Sequence, residues 1–276
     1  MGKLNGKVAL VTGASSGFGR GISLALAEEG AKVIVADLKR NTNEGGFEDN
    51  NISTDQVIIE MGGQAIFAEC DVTKATEVKY AVQTAVEEFG RLDIIVNNAG
   101  IYRGGDYMHN LTEEDLDMCL NVNVKGSWNG CQHAITQFLK QGDGGKIINI
   151  VSTAGLGGYP SQAPYNMSKG AAANLTRTIA IEYGPHKITA NGICPTYCKT
   201  SLTRPFFENE ELRNNVESKI PLGRWGEVDD VAKLAVFLAS EDSNYINGVM
   251  VPLDGGETLS SFSNQDFGLR VSSFHK

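Results

Sequence analysis

Short apolar runs alternate with longer amphipathic stretches along most of the chain. Seven of the runs, KVALVT, KVIVAD, QAIFAEC, LDIIVNN, KIINIVS, KITANGIC and GVMVPLD, are rich in valine and isoleucine and have the length of strands. They are almost continuously apolar, as strands are when both faces of their sheet are covered. The stretches between them read as helices: in TKATEVKYAVQTAVEEFG, Val78, Ala81, Val82, Ala85 and Phe89 recur at helical spacing, with Thr73 as the cap and Gly90 as the stop. Strands alternating with helices predict an α/β architecture: a doubly wound, seven-stranded parallel sheet with helices on both faces, closed by right-handed crossovers. Ligands in such a sheet bind at the carboxyl ends of its strands.

Two segments break the rhythm. LKRNTNEGGFEDNNIST, after the second strand, is polar, rich in Asn and Gly, and longer than a usual strand-to-helix connection, so a surface loop is expected there. The tail ETLSSFSNQDFGLRVSSFHK has no clear period, and both a frayed end and a segment docked on a neighbouring subunit are open for it. No internal repeat divides the chain, which reads as one domain over residues 1–256 with a C-terminal extension over 257–276.

Composition narrows the partners. The 276 residues are 41% hydrophobic and 21% charged, ordinary for a globular domain. A formal net charge of -9 and a pI near 5.0 argue against nucleic acid and against an anionic membrane, leaving a small molecule as the expected partner. The start, MGKLNGKVALVTG, lacks a secretory apolar core, fails the myristoylation pattern because Gly6 stands where Ser or Thr is needed, and no stretch approaches membrane-spanning length. Cys70, Cys119, Cys131, Cys194 and Cys198 show no paired CxxC spacing, so reduced thiols, a cytoplasmic location and no metal are expected.

The first candidate site is TGASSGFG, Thr12 to Gly19, which follows the first strand and opens a helix. Glycines at 13, 17 and 19 permit a tight turn and close approach of a pyrophosphate to the helix N-terminus, the arrangement of a Rossmann-type dinucleotide site. A bland strand-to-helix turn has the same glycines, and context decides between them. Asp37 ends the second strand, where a carboxylate accepts from both adenosine ribose hydroxyls and repels a 2′-phosphate, which favours NAD over NADP. Lys39 and Arg40 follow closely and point the other way if either swings toward a phosphate. Asp71, after the third strand, suits the adenine amino group, a helix cap, or both.

The spacing Tyr-x-x-x-Lys occurs twice, as YNMSK from Tyr165 to Lys169 and as YGPHK from Tyr183 to Lys187. The first lies in a helical run without proline after Pro164, so its two side chains share a helix face. The second is interrupted by Gly184-Pro185, which ends a helix and begins a turn, so Tyr183 and Lys187 need not meet.

TGASSGFG, CDVT, NNAG, NVNVKG, IVS, YNMSK and VPLDGG, in this order and spacing over about residues 4 to 256, resemble the short-chain dehydrogenase/reductase family. The resemblance implies an NAD-preferring oxidoreductase that interconverts a secondary alcohol and a ketone. Tyr165 would be the general acid/base, and Ser152 would orient the substrate oxygen. Lys169 would hold the nicotinamide ribose and bias Tyr165, and Asn123 would support a water beside Lys169. It further implies a cofactor site built from Gly13, Ser15, Gly17, Phe18, Gly19, Asp37, Asp71, Val72, Asn98, Ala99, Gly100, Tyr165, Lys169, Pro195, Cys198 and Thr200, and a homotetramer joined through helices near 112–140 and 163–183. A tyrosine near its reference pKa of roughly 10 is a poor base at neutral pH, and a nearby cation lowers it by about 1 to 3 units. Taken singly, each residue has a duller role: Asn123 as a cap, Ser152 as a strand-end hydroxyl, Lys169 as a solvated lysine. One departure stands out, Pro195-Thr196 where the family usually has Pro-Gly.

The substrate is the least determined. GIYRGG, STAGLGGYP and PTYCKTSLTRPFFENEEL should reach the site with Tyr102, Leu156, Tyr159, Tyr197, Phe206 and Phe207, against the cations Arg103, Lys199 and Arg204. Such walls favour a bulky hydrophobic ring, terpenoid, steroid or aromatic, held by Ser152, Tyr159, Tyr165, Tyr197 and Phe206 under a lid from Thr196 to Leu212. Packing of these rings within the lid or at a subunit contact is the competing expectation. A sugar or polyol dehydrogenase, a 3-oxoacyl-carrier-protein reductase and a dinucleotide-binding regulator are the alternatives.

Overall fold

The computed structural model describes residues 2–42, 47 and 52–259. Seven strands, β1 (Val8–Thr12), β2 (Lys32–Asp37), β3 (Gln64–Glu69), β4 (Ile94–Asn97), β5 (Gly145–Ile150), β6 (Ile188–Pro195) and β7 (Met250–Leu253), lie where the apolar runs place them. They form one parallel sheet in the order β3-β2-β1-β4-β5-β6-β7. The chain leaves β1 toward β2 on one side and returns to β4 on the other, so a crevice opens at the carboxyl ends of β1 and β4. All five residues of β1 are buried, as are the four of β4, because helices cover both faces.

On one face Val11, Val33, Val35 and Ile148 pack under α1 (Gly17–Glu28), α2 (Thr54–Glu60) and, further along the chain, α9 (Val228–Ala239). On the other, Leu10, Ile34, Ile95 and Ile147 pack under α3 (Ala75–Phe89), α5 (Gly126–Gln141) and α6 (Ala163–Tyr183). Each fully buried aliphatic side chain contributes about 1.5–3 kcal/mol relative to exposure, so both layers are needed to hold the sheet. Between α3 and α5 lies α4 (Glu113–Cys119), entered through a capping box in which Thr112 and Asp115 satisfy each other's backbone amides. Two short helices, α7 (Arg204–Glu208) and α8 (Glu210–Lys219), follow β6.

The start of α3 differs from the expected one. Its boundary residue is Lys74, not Thr73; the Thr73 amide and hydroxyl both donate to Asp71 Oδ1, at 3.0 and 2.8 Å, in a turn ahead of the helix. Gly90 ends α3 as expected, with φ 86°. Residues 43–46 and 48–51 of the connection expected after β2, and the C-terminal extension beyond Leu259, lie outside the described residues; α2 begins at Thr54, the last residue of that segment. Among the described residues no helix is long and apolar enough to cross a membrane, and no three or more His, Cys, Asp or Glu side chains gather as metal ligands.

Candidate active site

The glycine-rich turn is shaped by close approach. Gly13 has φ 63°, and a Cβ there would come within 2.9 Å of Ala99 Cα. At Gly19 a Cβ would lie 2.0 Å from the Gly13 carbonyl oxygen, so only glycine lets α1 close onto the turn. Asn98, just past β4, pins the turn from the neighbouring strand: Nδ2 donates to the carbonyls of Thr12 and Gly13, at 2.9 and 3.0 Å. The Thr12 hydroxyl in turn accepts from the amides of Asn98 and Ala99, both at 3.1 Å.

A groove of about 760 Å³ runs from this turn across the carboxyl ends of the strands. Asp37, Leu38 and Lys39 close one end; Asp71, Val72, Asn98, Ala99 and Gly100 line the middle; Ser152, Tyr165, Lys169, Pro195, Cys198 and Thr200 line the other end. Gly13, Ser16, Gly17 and Phe18 meet it at the N-terminus of α1, where the helix dipole favours an anion. These residues fit a dinucleotide with its pyrophosphate on α1. Three sequence-predicted residues do not line the groove. Ser15 is buried, its amide donating to Asp37 Oδ2 at 2.9 Å and its hydroxyl to the Lys39 carbonyl at 2.6 Å, so it orients the end of β2. Gly19 packs behind the turn, and Asn123 stands behind Lys169. Burial pushes the Asp37 carboxyl above the ordinary range, against the opposing hydrogen bonds from the amides of Ser15 and Leu38.

Tyr165 and Lys169 lie one turn apart on α6, as the helical reading of YNMSK requires. Lys169 is buried; its Nζ donates to the Ile150 carbonyl at 2.9 Å and sits 5.6 Å from the Tyr165 ring centroid. Ser152, just past β5, lines the same end of the groove as Tyr165, and its hydroxyl accepts from the Ala154 amide at 3.1 Å. Asn123 lies in a widened π-type turn between α4 and α5. Its Oδ1 accepts from the Ile101 amide at 2.8 Å, and its Nδ2 donates to Ser168 Oγ at 2.9 Å and to the Ile101 carbonyl at 3.0 Å. A Cβ on Gly100 would lie 3.3 Å from Asn123 Oδ1 and 3.4 Å from Lys169 Nζ, so both groups press on the same glycine.

The expectation that Lys169 lowers the Tyr165 pKa is not met in the protein alone. Burial pushes Tyr165 up to about 12, outweighing the opposing effect of Ser152, and pushes Lys169 down to about 8. Desolvation penalises both charged forms and is the largest cause of each shift. Tyr165 therefore carries its proton at neutral pH. The second Tyr-x-x-x-Lys pair is elsewhere: α6 ends at Tyr183, Gly184–His186 form a tight turn, and Lys187, at φ 60°, borders a separate cavity at the amino ends of β5 and β6.

A cleft of about 290 Å³ adjoins Ser152 and Tyr165, walled by Tyr102, Tyr159, Tyr197, Leu202 and Phe206. Ring centroids lie 5.4 Å apart for Tyr102 and Tyr165, and 6.4 Å for Tyr102 and Phe206. Two expected wall residues are absent from it. Phe207 turns away to stack on buried Trp225 at 5.3 Å and on Phe47 at 5.6 Å, because adjacent residues on a helix face different ways. Leu156 is exposed. None of the three cations reaches the cleft: Lys199 pairs with Glu227 at 2.5 Å, Arg204 with Glu208 at 2.6 Å, and Arg103 donates to Met118 sulfur at 3.4 Å. Thr196 is accommodated where the family usually has glycine, its hydroxyl donating to Glu257 and its amide to the Leu253 carbonyl. Sequence reasoning missed Gln162, Leu202 and Thr203 as lining residues; they sit on irregular segments whose course no periodicity reveals.

Comparison with known proteins identifies the family. Residues 13–258 match the family model described as enoyl-(acyl carrier protein) reductase. An uncharacterised oxidoreductase of Thermotoga maritima is 38% identical over 92% of this chain and 98% of its own. A 2-dehydro-3-deoxy-D-gluconate 5-dehydrogenase of Dickeya dadantii is 36% identical over 92% and 96%. Among solved structures, a gluconate 5-dehydrogenase of Burkholderia cenocepacia in complex with NADP and tartrate superposes with a TM-score of 0.85 at 32% identity, covering 94% of this chain and 97% of that one. The carveol dehydrogenase of Mycobacterium avium in complex with NAD gives 0.85 at 29%, covering 94% and 100%. With the ordered motifs, the parallel seven-stranded sheet and these matches in agreement, the chain belongs to the short-chain dehydrogenase/reductase family of oxidoreductases.

Proposed function

We propose that the protein is an NAD(H)-dependent enzyme that interconverts a secondary alcohol and a ketone on a bulky hydrophobic ring, terpenoid, steroid or aromatic. The observation that carries this reading is the meeting of Ser152, Tyr165 and Lys169 where the dinucleotide groove opens into an aromatic-walled cleft. A nicotinamide held in the groove would supply or accept the hydride. In reduction, Tyr165 gives its proton to the substrate oxygen, and its high pKa keeps that proton in place until it is needed. Ser152 shares the oxygen and fixes its position. Lys169 would hold the ribose with the donors left after its bond to Ile150 and would offset charge on Tyr165 in the oxidative direction. Asn123 holds the Ile101 backbone and Ser168 beside that lysine.

Asp37 supports NAD, since a 2′-phosphate at the end of β2 would face a carboxylate. Aromatic walls without a cation among the described lining residues support a hydrophobic ring: apolar contact is worth roughly 25 cal/mol per Å² buried, and a sugar-acid carboxylate would have no charge partner. The second reading, a sugar-acid dehydrogenase, is favoured by the activities of relatives such as the gluconate enzymes. A homotetramer is supported by the exposed apolar side chains Met167 and Ile181 on one stripe of α6 and Trp128 on α5. The five buried free thiols support a reducing, cytoplasmic setting.

The test is NADH oxidation at 340 nm with the purified protein, comparing monocyclic terpenoid, steroid and aryl ketones with open-chain keto-sugars and keto-acids. Higher kcat/KM for ring ketones is expected. Faster turnover of a keto-sugar acid would transfer the assignment to the second reading.

A further inference from the structure

The chain carries two cations just past Asp37, and the structure treats them differently. Leu38 and Lys39 line the groove, whereas Arg40 does not. Its guanidinium is forked onto Asp55, with Nε 3.3 and 3.1 Å from the two carboxylate oxygens and Nη2 2.5 Å from Oδ2. The Asp55 side chain is 3% exposed and that of Arg40 52%, so the acid is the fixed partner and the arginine the one drawn to it. Ser53 Oγ adds a hydrogen bond to Asp55 at 2.7 Å. The neighbouring Thr54 ties this end of α2 to the glycine-rich turn: its hydroxyl donates to the Ala14 carbonyl at 2.9 Å and accepts from Arg20 at 3.1 Å. The anchor that holds Arg40 is thus built onto the dinucleotide turn itself.

We propose that Asp55 is a positioning residue for cofactor choice, which acts by clamping Arg40 and so withholding a guanidinium from a 2′-phosphate at the ribose end of the groove. Discrimination then has two parts. Asp37 repels the phosphate, and Asp55 removes a side chain that would attract it. The Nε–Nη2 edge of the fork is engaged by a buried carboxylate, which fixes where the guanidinium lies, and releasing it would strand that buried charge. The inference rests on the NAD reading above.

Dissociation constants of NADH and NADPH, measured by nucleotide fluorescence on the full-length protein, test it without turnover. Asp55→Asn keeps the shape of the side chain and removes its charge. It should tighten NADPH about tenfold and change NADH by less than about twofold. Adding Arg40→Ala to Asp55→Asn should abolish the gain. Unchanged NADPH affinity in a folded Asp55→Asn protein, or a gain that survives Arg40→Ala, overturns the clamp. Should Asp55→Asn fail to fold, Arg40→Gln in the otherwise unaltered chain decides: NADPH affinity should stay the same, and a tenfold loss would mean that Arg40 already serves the phosphate. A wild-type protein that binds NADPH more tightly than NADH defeats the NAD reading. The clamp is then judged separately by Arg40→Gln.

Discussion

Tyr165 and Tyr183 share one helix and the same spacing to a lysine, yet only the first faces the groove. The difference is local: residues 165 and 169 are separated by uninterrupted helix, and residues 183 and 187 by Gly-Pro and a left-handed residue. Replacing Tyr165 by Phe removes one oxygen and its proton. Turnover should fall by at least about 10² to 10⁴, with the NADH dissociation constant within twofold of wild type. Tyr183→Phe should keep wild-type kcat, and equal losses in the two mutants would contradict the assignment. Lys169 carries a pH signature of its own. Its pKa, depressed to about 8, means that the folded chain binds fewer protons than the unfolded chain between about pH 8 and about pH 10.5. Stability therefore rises with pH across this window as the charge penalty is relieved, by an amount on the order of 3 kcal/mol. In cofactor-free protein, the stability difference between wild type and Lys169→Met, read from urea midpoints, should follow that rise and be flat below about pH 7.

At the scale of elements, α7 divides its two phenylalanines between different tasks. Phe206 faces the cleft and contacts Tyr102 and Tyr197, whereas Phe207 packs on Trp225, which is 1% exposed. Phe206→Ala should raise KM for ring ketones about tenfold, as expected for losing on the order of 1–2 kcal/mol of apolar contact, with a small change in Tm. Phe207→Ala should lower Tm by several degrees and leave KM close to unchanged. The opposite pattern would show that α7 is turned the other way in the working enzyme.

For the whole molecule, Met167 and Ile181 stand exposed on one side of α6, while the net charge of -9 favours dispersal of single chains. The proposed tetramer buries both side chains between copies. Ile181, 80% exposed, makes no internal contribution that a charge would spoil. Light scattering should give a tetramer for the wild type and smaller species for Met167→Glu with Ile181→Glu. A monomeric wild type would remove the basis for this interface.

The number, order and type of the strands were legible in the sequence because strands buried on both faces leave unbroken Val and Ile runs, and glycines and caps mark where helices begin and end. The pairing of Tyr165 with Lys169, the end of α3 at Gly90 and the grouping of Asp37 with the glycine-rich turn follow from local spacing plus the doubly wound rule. Tertiary structure decided what local patterns do not encode. Thr73 gave way to Lys74 because Asp71 claimed its hydroxyl and amide. Ser15 turned behind the groove to hold Asp37, and Phe207 left the cleft for Trp225. Arg40, poised in the sequence between two cofactors, was drawn to a carboxylate fifteen positions later that only the folding of α2 against the glycine-rich turn brings within reach. Periodicity along a chain reports which face of an element is apolar. The partner a polar side chain finds depends on what other segments deliver to the same place, and on the cost of leaving any of those groups buried alone.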